Sequence, residues 1–196
     1  MSEFPTSQNA PLEQWLARQR RKRIEPHVRG QRVLDFGCGV HAWNALSIRD
    51  ICQRVDGVDR SLPESRALGD IRLYRELGEI SDSTYDVIIA LAVFEHIKPL
   101  QLRELLRAFH GLTHSDSRII GTVPSPRSRR VLEFLSYRLG LIDRSQIEDH
   151  KVYYDDLWLH EITEGTGWTL SRYQKFQLGM NGFFQLIRSP STSQAI

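Results

Sequence analysis

Three stretches of the sequence predict an α/β fold: a mostly parallel sheet, helices on both faces and an antiparallel hairpin at its end. Residues 32–36, Arg-Val-Leu-Asp-Phe, form a short apolar run that leads through Gly37 and Gly39 into a helical pattern, the strand-turn-helix start of a β-α-β unit. Residues 87–92, Val-Ile-Ile-Ala-Leu-Ala, are the most apolar run of the chain and suit a central parallel strand covered on both faces. Residues 169–178 and 182–188 read as strands joined by Gly179-Met180-Asn181-Gly182, a hairpin signal.

In chain order, residues 1–10 are polar, contain proline and read as a loose tail. Pro11 opens a helix with Leu12, Trp15, Leu16 and Ile24 at about helical spacing. Its other face holds Arg18, Arg20, Arg21, Lys22 and Arg23, as a solvated face packed across the sheet edge or as an attraction for an anionic substrate or surface. After the first strand, residues 42–53 read as a helix with Trp43, Leu46 and Ile51 inward. Val55-Asp56-Gly57-Val58 is a second strand ending at Asp59; residues 61–69 are a short helix or loop opened by Ser61 and Pro63, and residues 71–74 are a weak third strand. Residues 99–113 carry Leu102, Leu105, Leu106, Phe109 and Leu112 on one helical stripe, closed by Gly111 and the run from Thr113 to Asp116. Residues 118–123 form a fifth strand stopped by Pro124-Ser125-Pro126. A helix over residues 155–164 takes Asp155 as its N-cap and ends at Gly165 and Gly167. Residues from 189 onward are a polar tail.

The glycine turn is the organising feature. Glycine reaches backbone angles closed to other residues and lets a ligand approach the main chain, which suits a nucleotide-like molecule. Asp59 lies twenty residues after Gly39. In a β-α-β unit the second strand ends beside the first, so an acid there can accept from ribose hydroxyls. Gly37-Cys38-Gly39-Val40-His41-Ala42 also fits the glycine-x-glycine-x-x-alanine form of a dinucleotide fingerprint, with Asp59 where an acid specifying NAD would sit. Asp35, two residues before the first glycine, favours another ligand, because a carboxylate there crowds a pyrophosphate but suits a cationic ammonium.

Val-Leu-Asp-Phe-Gly-Cys-Gly at residues 33–39, then Val58-Asp59, Tyr85-Asp86-Val87-Ile88-Ile89 and Phe94-Glu95-His96-Ile97, together resemble the class I S-adenosylmethionine-dependent methyltransferases, over about residues 30–188. The resemblance implies a Rossmann-like, seven-stranded, mostly parallel sheet with a C-terminal antiparallel hairpin. It implies S-adenosylmethionine as the cofactor, with Asp35 at the methionine end, Gly37 and Gly39 lining it with backbone, and Asp59, with Arg60 beside it, at the ribose. Glu76 and Leu77 fall where the family has an acid and an aliphatic residue against the adenine, with Glu79 and Asp82 as other candidates for the acid, and Leu91 falls near the cofactor. Asp86 resembles the acid that starts the central strand, a structural role. One departure is His41, where the family commonly has glycine; a side chain there narrows the approach to the methionine end.

The methyl group of a sulfonium is already activated, so the protein mainly holds a nucleophile in line and excludes water, with no metal required. An oxygen nucleophile such as a sugar hydroxyl benefits from a base. His96 is the first candidate and His150 the second, histidine being suited to proton transfer near neutral pH. Packing beneath the following helix is the alternative role for His96. Residues 125–154 form the expected cover over the substrate side, with His96, His150, Tyr153 and Tyr154 at the substrate. The apolar excess of residues 127–142 needs something to bury it: the pocket, the substrate, a second subunit in a homodimer, or a membrane surface helped by Arg127, Arg129 and Arg130.

Length and composition bound these readings. A chain of 196 residues, 40% apolar, suits one methyltransferase domain over residues 1–196, with the tails at 1–10 and 189–196. Its net charge of +2 is no strong nucleic-acid signal. No run is long enough to span a bilayer, the N-terminus lacks the order of a secretory signal, and Cys38 and Cys52 read as free thiols. A cytoplasmic enzyme acting on a small molecule, glycan or lipid-linked intermediate, at oxygen, is expected. The alternatives are an NAD-binding oxidoreductase and a non-catalytic cofactor-binding partner subunit in which His41 reflects relaxed constraint.

Overall fold

The computed structural model describes residues 11–81, 84–125, 155–177 and 179–190, with side chains from residue 21 onward and at Gln19. The elements are helix α1 (Pro11–Val28), strand β1 (Arg32–Phe36), helix α2 (Trp43–Ile48), strands β2 (Arg54–Val58), β3 (Arg66–Leu68), β4 (Ile71–Tyr74) and β5 (Tyr85–Leu91), helix α3 (Pro99–Ala108), strand β6 (Thr113–Pro124), helix α4 (Asp156–Thr163), and strands β7 (Trp168–Phe176) and β8 (Asn181–Arg188). One eight-stranded sheet runs β3-β4-β2-β1-β5-β6-β8-β7. The pairs among β4, β2, β1, β5 and β6 are parallel, whereas β3–β4, β6–β8 and β8–β7 are antiparallel. Strand order reverses between β1 and β5, so a crevice forms beyond their carboxyl ends.

The inner strands are apolar on both faces because helices cover both. On one face Val33, Val87, Ile89 and Ile120 pack beneath Ile24 and Val28 of α1 and Ala45 and Ile48 of α2. On the other, Leu34, Ile88, Ala90 and Ile119 meet Leu102 and Leu106 of α3 and Leu159 and Ile162 of α4. Adjacent residues such as Val33 and Leu34 serve opposite layers, as the period of two requires. Gly121 is glycine for want of space: an added Cβ would lie 2.4 Å from the Ala90 carbonyl oxygen and 2.5 Å from Phe184 Cζ. Asp86 ties the amino ends of β1, β5 and β6, accepting from Arg32 N (2.7 Å), its Nε (3.1 Å) and a terminal guanidinium nitrogen (2.8 Å), and from His114 Nε2 (2.9 Å). These contacts give Asp86 a structural place, away from the carboxyl edge.

Four expectations are corrected. Residues 66–68 form β3, an eighth strand added antiparallel to β4, where a helix or loop is predicted. Helix α2 is only six residues, followed by a 3₁₀ turn at Arg49–Ile51; Trp43 is 61% exposed, and Ala45 and Ile48 face inward. Helix α3 gives way to a 3₁₀ turn at Phe109–Leu112, and β6 starts at Thr113 rather than Arg118. Ala92 turns out of β5 with φ of 57°. The N-cap holds: Asp155 accepts from Trp158 N at 3.0 Å. The expected cover from Arg127 onward with His150, Tyr153 and Tyr154, the acid Asp82, and most of both tails lie outside the described residues, as do the side chains of Leu12, Trp15, Leu16, Arg18 and Arg20. No described helix is long and apolar enough to cross a membrane.

Candidate functional site

Register places Asp35 of β1 between Gly57 of β2 and Ile89 of β5, at the carboxyl edge of the sheet. The chain then turns on Gly37, whose φ is 79° and where an added Cβ would lie 2.5 Å from Val93 Cγ2, so both conformation and space demand glycine. Gly37 N donates to the Val58 carbonyl at 2.8 Å, tying the turn to the end of β2. Gly39, with φ of 68°, donates its N–H to Asp59 Oδ2 at 2.7 Å, and a Cβ added there would meet nothing within 4 Å, so its open side faces free space. Asp59 also accepts through Oδ1 from Ser61 N (2.8 Å) and Ser61 Oγ (2.6 Å). Three donors thus occupy most of the roughly four acceptor positions of a carboxylate. Asp59 N in turn donates to the Tyr74 carbonyl at 3.0 Å, which brings the end of β4 beside the turn.

Asp35 is buried, 1% exposed. Its Oδ2 accepts from Ala45 N at 3.2 Å, capping the first turn of α2 from the neighbouring strand, while Oδ1 is buried with no hydrogen-bond partner among the described residues. Burial pushes this carboxyl up to about 7; the Ala45 N–H opposes that, and the negative Asp59 adds to it. Cys38 beside it is pushed up to about 12, first by burial and then by Asp35 and Asp59, so it is a packed thiol rather than a nucleophile.

His41 is exposed, and its ring lies 5.6 Å from that of Trp43. The left-handed residue that closes the turn is Ala42, with φ of 49°, and His41 has no positive φ, so the position usually held by glycine bears no backbone strain here. Arg66 is a residue that sequence reasoning missed: from β3 its guanidinium donates to the Val40 carbonyl at 2.7 Å, hooking the turn from 26 residues away. Nothing in a local pattern signals such a contact.

The remaining predicted residues spread around the same edge. Arg60 is exposed next to Asp59. Glu76 and Glu79 form a capping box around the 3₁₀ turn Leu77–Glu79, with Glu76 N donating to Glu79 Oε1 at 3.2 Å, and Leu77 is half-buried. Leu91, half-buried, ends β5 opposite Thr122. In the 3₁₀ turn Phe94–His96 that follows, Glu95 is buried and His96 exposed. Gly39 and Asp59 are thus hydrogen-bonded to each other, Gly37 is tied to the end of β2 just before Asp59, and Asp35 lies near the end of neighbouring β1 at the same edge; Glu76 and Leu77 follow β4, Leu91 ends β5 and His96 follows it. This edge offers two carboxylates, one of them with a free buried oxygen, and an open backbone turn, a setting for a ligand that carries both a cation and hydroxyl groups.

A family model described as a methyltransferase domain matches residues 10–173. No curated protein sequence matches the chain. Among solved structures, the chain is similar to the pyocyanin biosynthetic protein PhzM, with a TM-score of 0.65 and 14% identity over 91% of this chain and 57% of that one. It is similar to magnesium protoporphyrin IX methyltransferase (ChlM) from Synechocystis PCC 6803 with bound SAH, with a TM-score of 0.60 and 17% identity over 96% of this chain and 90% of that one. A third is the Burkholderia thailandensis 1,6-didemethyltoxoflavin-N1-methyltransferase with bound 1,6-didemethyltoxoflavin and S-adenosylhomocysteine, with a TM-score of 0.65 and 16% identity over 94% of this chain and 85% of that one. At these identities the likeness is one of fold.

Proposed function

The chain belongs to the methyltransferase domain family, and from that premise we propose that it is an S-adenosylmethionine-dependent enzyme that methylates a small molecule at an oxygen atom. The observation that carries this reading is the hydrogen-bonded pair of Gly39 and Asp59 at the same sheet edge as Asp35, whose Oδ1 is buried without a partner among the described residues. A cationic ammonium suits that oxygen and the joint negative field of the two carboxylates. The acceptor position left on Asp59 suits one ribose hydroxyl, and the open side of Gly39 leaves room for close approach to the main chain. In this reading Glu76 and Leu77 hold the adenine, and Leu91 lies near the cofactor.

When bound, S-adenosylmethionine supplies a methyl group already activated by positive sulfur. The chain's part is to hold the acceptor in line and keep water away. Exposed His96 at the end of β5 is the base we assign to the acceptor hydroxyl, with Glu95 supporting its loop from beneath. The acceptors we favour carry hydroxyl groups, as glycans, lipid-linked intermediates and other metabolites do. His150, Tyr153 and Tyr154 complete this proposal on the substrate side.

Calorimetry against S-adenosylmethionine, S-adenosylhomocysteine and NAD in parallel tests the reading. S-adenosylhomocysteine is expected to bind, and Asp59→Ala to weaken it by roughly 1–3 kcal/mol, the range for a charged hydrogen-bond partner. Binding of NAD with no response to S-adenosylhomocysteine overturns it. His96→Ala is expected to abolish turnover on a hydroxyl acceptor while S-adenosylhomocysteine affinity stays unchanged; retained turnover removes His96 as the base.

A further inference from the structure

On the face of the sheet beside α1, positive charge gathers, and no described carboxylate forms an ion pair with it. Ile120 and Phe176 lie in the core layer of that face, so Arg118 of β6 and Gln174 of β7, each two residues away, share their side of the sheet. Arg23 of α1 donates to Gln174 Oε1 at 3.1 Å, and Arg172 of β7 donates to the same oxygen at 3.0 Å. Two guanidinium groups thus converge on one neutral atom. A third, that of Arg118, donates to the His27 carbonyl at 3.4 Å and buries its Nε with no partner among the described residues. Flat apolar rings hold the cluster in place: Arg23 lies over Phe176 at 5.4 Å, and the His27 ring stacks on Phe183 at 5.5 Å. The nearest acid along α1, Glu25, is paired with Arg21 at 3.0 Å, and no described acid forms an ion pair with Arg23, Arg118 or Arg172.

Like charges brought together repel, and this arrangement leaves the repulsion unrelieved. One guanidinium suffices for a carboxylate. Three of them, with an imidazole alongside, match a group with more charge and more acceptor oxygens, and guanidinium forks fit tetrahedral oxyanions well. We propose that Arg23, His27, Arg118 and Arg172 form a binding site for a phosphoryl group, distinct from the site at the carboxyl edge. Arg118 pairs in register with Ile187 and is level with Val87, well before the end of β5, which sets this site apart from the glycine turn. His27 is held below its ordinary value by burial and by the charges of Arg118 and Arg172, so an anion seated among them raises it again. The group can come from a soluble phosphorylated molecule or from a phospholipid headgroup.

The test follows the arginine side-chain N–H resonances of the full chain by NMR during titration with inorganic phosphate, with sodium chloride at equal ionic strength as the control. A saturable shift at Arg23, Arg118 and Arg172 is expected, weakened about tenfold or more in Arg172→Gln and in Arg23→Gln. A rise in the His27 pKa on adding phosphate is the second expected result. Arg172 is exposed and Arg23 half-buried, and thermal melting of each variant checks that the fold is kept. A response matched by chloride, or one that neither substitution weakens, overturns the site. Flotation with phosphatidylcholine vesicles, with and without phosphatidic acid, separates the sources. Retention only with phosphatidic acid, lost in both variants, assigns a lipid headgroup; phosphate binding without retention assigns a soluble ligand.

Discussion

Replacing Asp35 by Asn removes a buried charge while keeping an oxygen for the Ala45 N–H, and the two consequences have opposite signs. In the folded chain this carboxyl is pushed from 3.8 up to about 7, chiefly by burial. Between those values the folded protein holds a proton that the unfolded chain has released, so stability falls as pH rises through the window. From pH 5 to pH 8 this single group removes roughly 2.5 kcal/mol. The Asn variant lacks that slope. Its amide NH₂ takes the place of the unpartnered Oδ1, a cost of roughly 1–3 kcal/mol that is the same at every pH. Urea unfolding at pH 5 and pH 8 without cofactor is therefore expected to show the difference between variant and wild type moving toward Asn by roughly 2.5 kcal/mol. Calorimetry with S-adenosylhomocysteine is expected to show affinity falling about tenfold or more, because the cationic end loses its charged partner. Parallel stability curves would refute the assignment of a buried, proton-holding Asp35, and unchanged affinity would leave it as a cap for α2 alone.

His41→Gly is expected to keep S-adenosylhomocysteine affinity within about twofold, because the side chain is exposed and the backbone there is unstrained; severe weakening in calorimetry would mean that His41 touches the ligand. Asp86→Ala is expected to cost roughly 1–2 kcal/mol in urea unfolding at pH 7, on the low side because the pair with Arg32 is partly exposed, and to leave ligand affinity alone. Since Arg32 holds this carboxyl below its ordinary range, its stabilisation is present above about pH 4 and fades as pH falls further, so wild type and variant converge near pH 2 to 3; a gap that persists there counts against the ion pair. Gly121→Ala is expected to destabilise by about 3 kcal/mol, since the new methyl meets the Ala90 backbone as well as the Phe184 ring. A variant as stable as wild type would contradict the packing of β5, β6 and β8.

The buried strands were legible because their environment writes itself into composition: Val33-Leu34 and Val87-Ile88-Ile89 are apolar at every position when helices cover both sides. The glycine turn and Asp59 were legible because a close backbone turn restricts which residues fit. Strand β3 was not. Arg66-Ala67-Leu68 is a short edge piece, mostly exposed, and has no hydrophobic pattern to betray it. Trp43 misled for the opposite reason, since a bulky apolar residue suggested an inward face that a six-residue helix gives to Ala45 and Ile48 instead. The hook from Arg66 to Val40 and the paired use of Gln174 by Arg23 and Arg172 join residues far apart in sequence, and local spacing carries no trace of such pairs.

The position of β8 has a bearing on how the chain is made. The ribosome releases β7 before β8, yet β8 lies between β6 and β7, so β7 has no neighbour on the growing sheet when it emerges. Until residues 181–188 are out of the ribosome, β6 presents an open edge beside Gly121, and the ring of Phe184 that covers it is still missing. A nascent chain halted before residue 181 therefore exposes apolar strand surface of the kind that chaperones engage and that associates wrongly when left alone. Synthesis of the last hairpin is the step that ends this exposure, with β7 and β8 docking onto β6 together.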